Sequence, residues 1–518
     1  MTSSTDLSTT LLPTTLSRRA FLRLSGSVAA LATLAACAPA VPGGSAGSAP
    51  AQEAVTIRYA GLEGMGARVE EFIGPWITDK GYAWERGSFG QQELEDKIMQ
   101  SVATDTYLAD VFQFPSNARA DVIAAKALME VPQEVQDAID WDDILPSIVR
   151  TLTWEGVAYA LPYDGDIHYY AFRKDLFATP EINEKFKAAY GYDLNPDGGA
   201  ETWQQWREIA EFFTGWDWNG NGEEDDFGIA CMTKRGDTAW WGFHSRATAY
   251  AKHPDDHGYF IDTETGQARI NNPAFVRALE EWVEENTKWA PPGGTNFTYG
   301  DSINATIGGR AVSTYSWDAV TTTTDPDMSV IKGMQGYNIL PGSREVYNAK
   351  SGEWETFDEP SHAPFHAFGG WVIAVSASVK DDNAKIGPVW DMVTELTKPE
   401  SGLWFVTNPT GASPYRFSQF ANFDAFANGP LKLGEDVAKD YLDTAQATLD
   451  HPNAVTDLAF PGWVQYRDAL ELAVAKAMGN EMSPQAALDE AAAAFDEISE
   501  RMGGMKSQAD IYLRTMGL

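Results

Sequence analysis

Residues 157–177 read Val-Ala-Tyr-Ala-Leu-Pro-Tyr-Asp-Gly-Asp-Ile-His-Tyr-Tyr-Ala-Phe-Arg-Lys-Asp-Leu-Phe. Residues 159–164 read as a strand that ends on a carboxylate. Residues 168–172 form a second apolar strand, followed by the charged run that starts at Arg173. Upstream, residues 55–59 alternate like a strand and a helix follows over about 68–76. A second strand covers 82–85, and Gln91–Ala103 reads as a helix with Leu94, Ile98, Met99 and Val102 on one face. Residues 110–114 make a third strand, ending at Pro115, and 122–128 another helix. Strands separated by helices predict an α/β fold with a parallel sheet covered on both faces.

Downstream, about 201–290 is mostly helical. Residues 311–315 and 371–375 are strands, each preceded by a glycine pair (Gly308-Gly309 and Gly369-Gly370). A helix over 386–396 stops at Lys398-Pro399-Glu400. The tail from 470 to 502 is Ala-rich and amphipathic, and no internal repeat is visible.

The N-terminal end has a different character. Ser17-Arg18-Arg19-Ala20-Phe21-Leu22-Arg23, an apolar run and Leu34-Ala35-Ala36-Cys37 resemble a twin-arginine export signal closed by a bacterial lipobox. The expectation is a signal peptide over 1–37, a lipid on Cys37 and a flexible small-residue linker over 38–52. The apolar run from 24 to 36 is short of the ~20 residues a membrane span needs. The expected location is therefore the outer face of the cell membrane, held by lipid.

After the leader, about 480 residues remain, too many for one ordinary core and enough for two large lobes. The formal net charge of −36 excludes nucleic-acid binding, because such a surface repels phosphate backbones. With Cys37 lipidated, Cys231 has no disulfide partner and reads as a small buried apolar residue. Gly43-Gly44-Ser45-Ala46-Gly47 matches a hydrolase elbow but lacks the strand before it and the helix after it. His253-Pro254-Asp255-Asp256-His257 and the pair His362/His366 read as loops, since a proline interrupts each spacing. Asp217-Trp218-Asn219-Gly220-Asn221-Gly222-Glu223-Glu224-Asp225-Asp226 is a sharper motif. Oxygens at positions 1, 3 and 5, a glycine at 6 and an acid at 9 follow a calcium loop, although position 12 is Gly228 rather than glutamate. Asp217, Asn219, Asn221, Glu223, Asp225 and Asp226 are the ligands of an expected structural calcium. An Asx-turn loop with solvated acids is the alternative.

Four stretches occur in an order that resembles the family 1 extracellular solute-binding proteins of ATP-driven importers, the maltodextrin-binding type. They are residues 157–177, Gly309-Arg310-Ala311-Val312-Ser313-Thr314-Tyr315-Ser316-Trp317, residues 369–375 with the helix to Glu400, and the C-terminal stretch 484–491. The resemblance covers most of 54–500. It implies two α/β lobes of the type II-like binding-protein fold, joined by a hinge and closing on a ligand in the cleft between them. Residues 53–164 with about 318–400 would form lobe 1, and 165–317 with about 401–518 lobe 2. The implied protein is a monomer that carries a mono- or oligosaccharide to permease subunits, catalyses nothing and requires no cofactor. Extra length near 235–300 and 340–365 departs from the family.

A sugar site needs flat aromatic faces for ring C–H surfaces and carboxylates, amides or arginine for hydroxyls. The crossovers supply Tyr163, Asp164 and Asp166, then Trp317 and Asp318. Trp371 follows glycines that would let a ligand approach the backbone. Trp240, Trp241 and Glu63 complete the set, with Arg416 from a loop that faces the cleft in the family. Two other readings stay open: an exported carbohydrate-active enzyme, with two carboxylates ~5–10 Å apart, and the same fold binding a peptide or polyamine.

Overall fold

The computed structural model describes residues 54–317 and 329–518. Its principal strands are β1 (Thr56–Leu62), β2 (Ala83–Phe89), β3 (Val111–Pro115), β4 (Leu161–Pro162), β5 (Tyr169–Arg173), β6 (Phe227–Ile229), β7 (Ala311–Ser316), β8 (Gln335–Asn338) and β9 (Trp371–Val375). The helices used below are α1 (Glu63–Lys80), α2 (Ala239–Ala251), α3 (Pro273–Lys288), α4 (Ile386–Thr397), α5 (Glu435–Leu449), α6 (Trp463–Met478) and α7 (Pro484–Arg501).

Two sheets form. The first has the order β2-β1-β3-β9-β4 and the second β8-β5-β7-β6. β1 runs parallel to both β2 and β3, as the strand–helix alternation predicts. β9 enters antiparallel between β3 and β4, so the first sheet is mixed rather than parallel. The second sheet is mixed as well, because β5 lies antiparallel to both β7 and β8 while β6 runs parallel to β7. β3, β5, β7 and β9 are buried along their whole length, and β9 reads accordingly as a continuous apolar run rather than an alternating one.

The chain leaves the first sheet at Pro162 and enters the second at Tyr169. The later crossings differ from the expected ones. The strand after Trp317 was expected in lobe 1, but β8 pairs with β5, Gln335 opposite Arg173 and Asn338 opposite Tyr170. The backbone next joins the first sheet at β9, so the return runs through about 367–370. Residues 401–407, expected in lobe 2, continue the helix Pro399–Thr407 that packs on lobe 1, with Phe405 against Phe72 and Tyr163. α5 is back against β8. Strand order cannot be read from a strand's own residues, which is why these two boundaries moved.

The extra length near 340–365 is a hairpin, Ser343–Asn348 against Glu353–Ser361, lying on α2. The tail is two packed helices, α6 and α7, broken at Gly479-Asn480, where Asn480 takes φ +55°. In the second lobe, Arg246 on α2 is fully buried. Its guanidinium pairs with Glu285 on α3 at 2.9 Å and with Glu281, and stacks 4.4 Å over the Trp203 ring. Among the described residues no helix is long and apolar enough to cross a membrane.

Candidate functional site

The crossing segments press together where the two sheets meet. Gly165 N–H donates to the Ser413 carbonyl at 3.0 Å, and Ser413 N–H donates to Asp164 Oδ1 at 2.8 Å. Phe368, Gly369 and Gly370 all have positive φ (41°, 73° and 93°). At Gly370 an added Cβ would collide with the Asp164 carbonyl. The glycine pair was expected to admit ligand; it admits the first crossing segment instead. Ser116 at the end of β3 donates through its amide to the Gly370 carbonyl at 3.1 Å and through its hydroxyl to the Phe368 carbonyl.

Asp457 lies at the centre of this junction and was not singled out from the sequence. Its carboxylate accepts from Trp240 Nε1 (2.9 Å), Trp241 Nε1 (2.7 Å), the Phe368 amide (3.0 Å), the Leu458 amide (2.7 Å) and Asn117 Nδ2 (3.4 Å). Asn117 follows β3 in the first lobe and the two tryptophans lie on α2 in the second, so one carboxylate joins both lobes. Burial pushes it up to about 6, while the indole and amide donors pull it down. Arg119, two residues after Asn117, is buried, and burial draws its guanidinium down to about 10 against the pull of Asp457.

Around Asp457 stands an aromatic cluster. The Trp317 ring is 5.4 Å from Trp241, 5.3 Å from Phe368, 4.3 Å from His168 and 6.0 Å from the half-buried Tyr299. Trp371 meets Phe368 edge-on at 5.9 Å. Trp463, opening α6, lies 6.1 Å from Trp241 and carries the Arg467 guanidinium 4.8 Å from its ring centre. Arg467 is 3% exposed, yet its Nε and one terminal nitrogen have no hydrogen-bond partner; the nearest carboxylate is Asp468 at 4.0 Å. On the first-lobe side, the Tyr163 hydroxyl hydrogen-bonds to the Gln113 side chain, and the Tyr59 hydroxyl and Asn117 Oδ1 are buried without partners. Buried polar atoms are almost always paired, so the unpartnered atoms beside this cluster are candidates to meet hydroxyls or amides of another molecule.

The residues expected from sequence divide. Trp241, Trp317, Trp371, Tyr163, Asp164 and Asp166 come together here. Asp164 is buried, and its carboxyl is pushed up to about 7 by burial, opposed by hydrogen bonds from Asp166 and the Ser413 amide. Trp240 backs the cluster as core, stacked on Phe260 at 5.6 Å. Arg416 is a correction: it is fully buried inside lobe 1, donating to the carbonyls of Thr397 (2.7 Å) and Asp140 (3.1 Å). A loop carrying a lone arginine reads the same whether it faces a cleft or caps helix ends. Glu63 starts α1 with an exposed side chain. Asp318 lies outside the described residues.

In the Asp217–Asp226 loop, Asp217 accepts the amides of Gly220, Asn221 and Gly222, and Asp226 those of Trp218 and Asn219. Asn219 and Asn221 close Asx turns on Asn221 and Glu223, and Asp225 pairs with Arg310 at 3.0 Å. A cation would have to share oxygens that already hold main-chain donors. Among the described residues no group of three or more His, Cys, Asp or Glu side chains is placed to hold a metal.

A model of the bacterial extracellular solute-binding proteins matches residues 84–402. A mannitol-binding protein of Pseudomonas aeruginosa is 24% identical over 279 residues, 53% of this chain and 55% of that protein, so the match spans about half the length of that relative. Among solved structures, an ABC transporter solute-binding protein from Agrobacterium radiobacter K84, in complex with ribitol, superposes with TM-score 0.68 at 19% identity over 86% of this chain and 98% of that one. One from Agrobacterium vitis S4 with bound D-mannitol gives 0.65 at 18% over 87% and 99%. A maltose-bound T. maritima protein gives 0.63 at 18% over 86% and 100%. These likenesses establish the two-lobe binding-protein fold.

Proposed function

The chain belongs to the bacterial extracellular solute-binding protein family, and from that premise we propose that it captures a polyhydroxylated solute, a sugar or polyol, between its lobes for an ATP-driven importer. The observation that carries this reading is the junction at Asp457. Aromatic faces from four separate segments (Trp241, Trp317, Phe368, Trp463) stand around Asp457, beside the unpartnered Asn117 Oδ1 from the first lobe and the unpartnered Nε of Arg467 on α6. Flat faces suit the C–H surfaces of a cyclic sugar or a linear polyol, and the orphan atoms suit hydroxyls. Relatives that bind mannitol and ribitol, or hold maltose, point to the same chemistry.

Binding rather than turnover fits the acids. Asp164 and Asp166 hydrogen-bond to each other through their side chains, whereas a glycosidase needs two carboxyls ~5 Å or more apart across the scissile bond. The leader makes the protein a lipoprotein on Cys37 in this reading, tethered near its permease and working as a monomer. Replacing Cys37 by serine is expected to move the protein from the membrane fraction to the medium or periplasm.

The primary test is a thermal-shift screen. A solute that binds only the folded protein raises the apparent Tm by mass action, by about 2.7 kcal/mol of stability at a hundred times Kd. At least one of D-mannitol, ribitol, maltose or a simple hexose is expected to raise Tm. A panel of cationic amines or peptides acting where all sugars and polyols fail would overturn the reading.

A further inference from the structure

We infer that the protein has a second ligand site, separate from the junction at Asp457, for a small organic anion: a carboxylate or phosphate ester on an apolar body. A cavity of about 570 Å³ lies between a hairpin and a helix, and its lining shares no residue with the cluster around Asp457. The hairpin pairs Thr153–Trp154 with Val157–Ala158. It follows the helix Pro146–Leu152 and runs on directly into β4, so it belongs to the first lobe. The opposite wall is the helix Met505–Thr515. Tyr512 holds it on the second lobe, against Phe260 at 6.1 Å and Phe460 at 5.8 Å. Arg514 Nη1 reaches across to Glu155 Oε1 at 2.6 Å, so one exposed ion pair bridges the two walls.

The lining offers more donors than acceptors. Arg150 is half-buried in this wall, and among the described residues its guanidinium has neither a hydrogen bond nor an ion pair. Burial draws it below its ordinary value, and no carboxylate pulls it back. Arginines of similar or deeper burial elsewhere, such as Arg207, Arg246, Arg269 and Arg277, each hold at least one carboxylate. Glu155, the one carboxylate side chain of the lining, is committed to Arg514. The indole N–H of the half-buried Trp154 is likewise without a protein acceptor. Ile511 and Leu518 add apolar surface, and Leu518 is 57% exposed. A guanidinium stays charged at neutral pH, and its fork of N–H groups takes two oxygens of a carboxylate or phosphate at once. Unmet donors beside apolar surface therefore suit a molecule with negative charge at one end and a ring or hydrocarbon at the other. The net charge of −36 opposes anions at long range, so affinity has to come from direct contact with Arg150.

The test is calorimetric titration of the intact protein with phenylacetate and phenyl phosphate, against 2-phenylethanol and inorganic phosphate. The first two separate a carboxylate from a phosphate ester; the controls lack the charge and the apolar body respectively. At least one aromatic anion is expected to saturate a single site and to bind roughly tenfold tighter than either control. Arg150→Gln is expected to lose roughly ten- to a hundredfold in affinity, the range of hydrogen bonds to a charged group. Arg150→Lys, which keeps the charge but not the fork, is expected to lose roughly three- to tenfold, and it decides the matter if Arg150→Gln does not fold. Trp317→Ala is expected to bind the anion as the parent does, which separates this cavity from the solute site. Three results would overturn the inference: no saturable binding of either aromatic anion, binding no tighter than the controls, or affinity unchanged in a folded Arg150 variant. Affinity lost in Trp317→Ala would overturn it as well. None of these titrations uses the solute of the proposed function, so that reading stands or falls separately.

Discussion

Asp164 and Asp457 hold the same kind of position, a strand-end carboxylate taken out of water and surrounded by donors, and both titrate near neutrality for that reason. With a folded value of about 7 against an ordinary 3.8, Asp164 favours the folded state fully below about pH 4 and loses that contribution as pH rises through 7. Asp457, at about 6, acts in the same direction over a lower window. Glu281 acts oppositely: burial is outweighed by Arg246 and Arg277, its carboxyl sits at about 2, and the stability it contributes is lost only in strong acid. Between pH 5 and 8 Asp164 and Asp457 lower stability as pH rises, whereas His168, His366 and His451, which burial holds down to about 3, 4 and 4, act in the opposite direction up to about 6.5, so the Asp164 contribution is read by comparing a variant with the parent. Asp164→Asn keeps an acceptor for the Ser413 amide and gives Asp166 a donor. Its Tm relative to the parent is expected to rise as pH goes from 5 to 8, matching or exceeding the parent's at pH 8, because the variant lacks the loss that Asp164 brings between about 4 and 7. An unchanged pH profile in the variant would show that Asp164 is not the titrating group.

Elements meet at few points, and each has a substitution that reports on it. Gly370→Ala places a Cβ against the Asp164 carbonyl at φ +93°, and is expected to destabilise by several kcal/mol because two backbones must separate. Arg246→Met leaves Glu285 buried with Arg207 alone, and about 3–5 kcal/mol is expected to be lost in urea melts. How far the elements were legible follows from what each depends on. β1, β3, β5, β7 and β9 are visible as apolar or alternating runs because burial acts on the strand itself. The antiparallel insertion of β9 and the pairing of β8 with β5 depend on partners far away in sequence. The site divides in the same manner. Trp317, Trp241 and Asp164 stand out as large or charged residues at strand and helix ends. Asp457 carries the same strand-end signal in Val455-Thr456-Asp457, and Trp463 with Arg467 share one helix face four residues apart, but nothing local says that these segments converge. Arg416 was legible as an arginine and not as a brace, since its partners, the Thr397 and Asp140 carbonyls and the Asp143 carboxylate at 3.5 Å, are remote in sequence.

For the whole molecule, function depends on how the lobes are joined. Asn117 to Asp457, and Asp121 to the Gly462 amide, are bonds between the first lobe and segments packed on the second. Asp121 is on this boundary without belonging to the aromatic cluster. Asp121→Ala is expected to weaken solute binding roughly fivefold, the worth of about 1 kcal/mol, by making closure less favourable. The central claim is that one solute is clasped at the junction of Trp317, Trp241 and Asp457. Calorimetric titration of the parent and of Trp317→Ala with the solute that raises Tm most is its most direct test. The predicted result is saturable one-to-one binding by the parent and at least tenfold weaker binding by a folded Trp317→Ala. Equal affinity in the two proteins would contradict the claim.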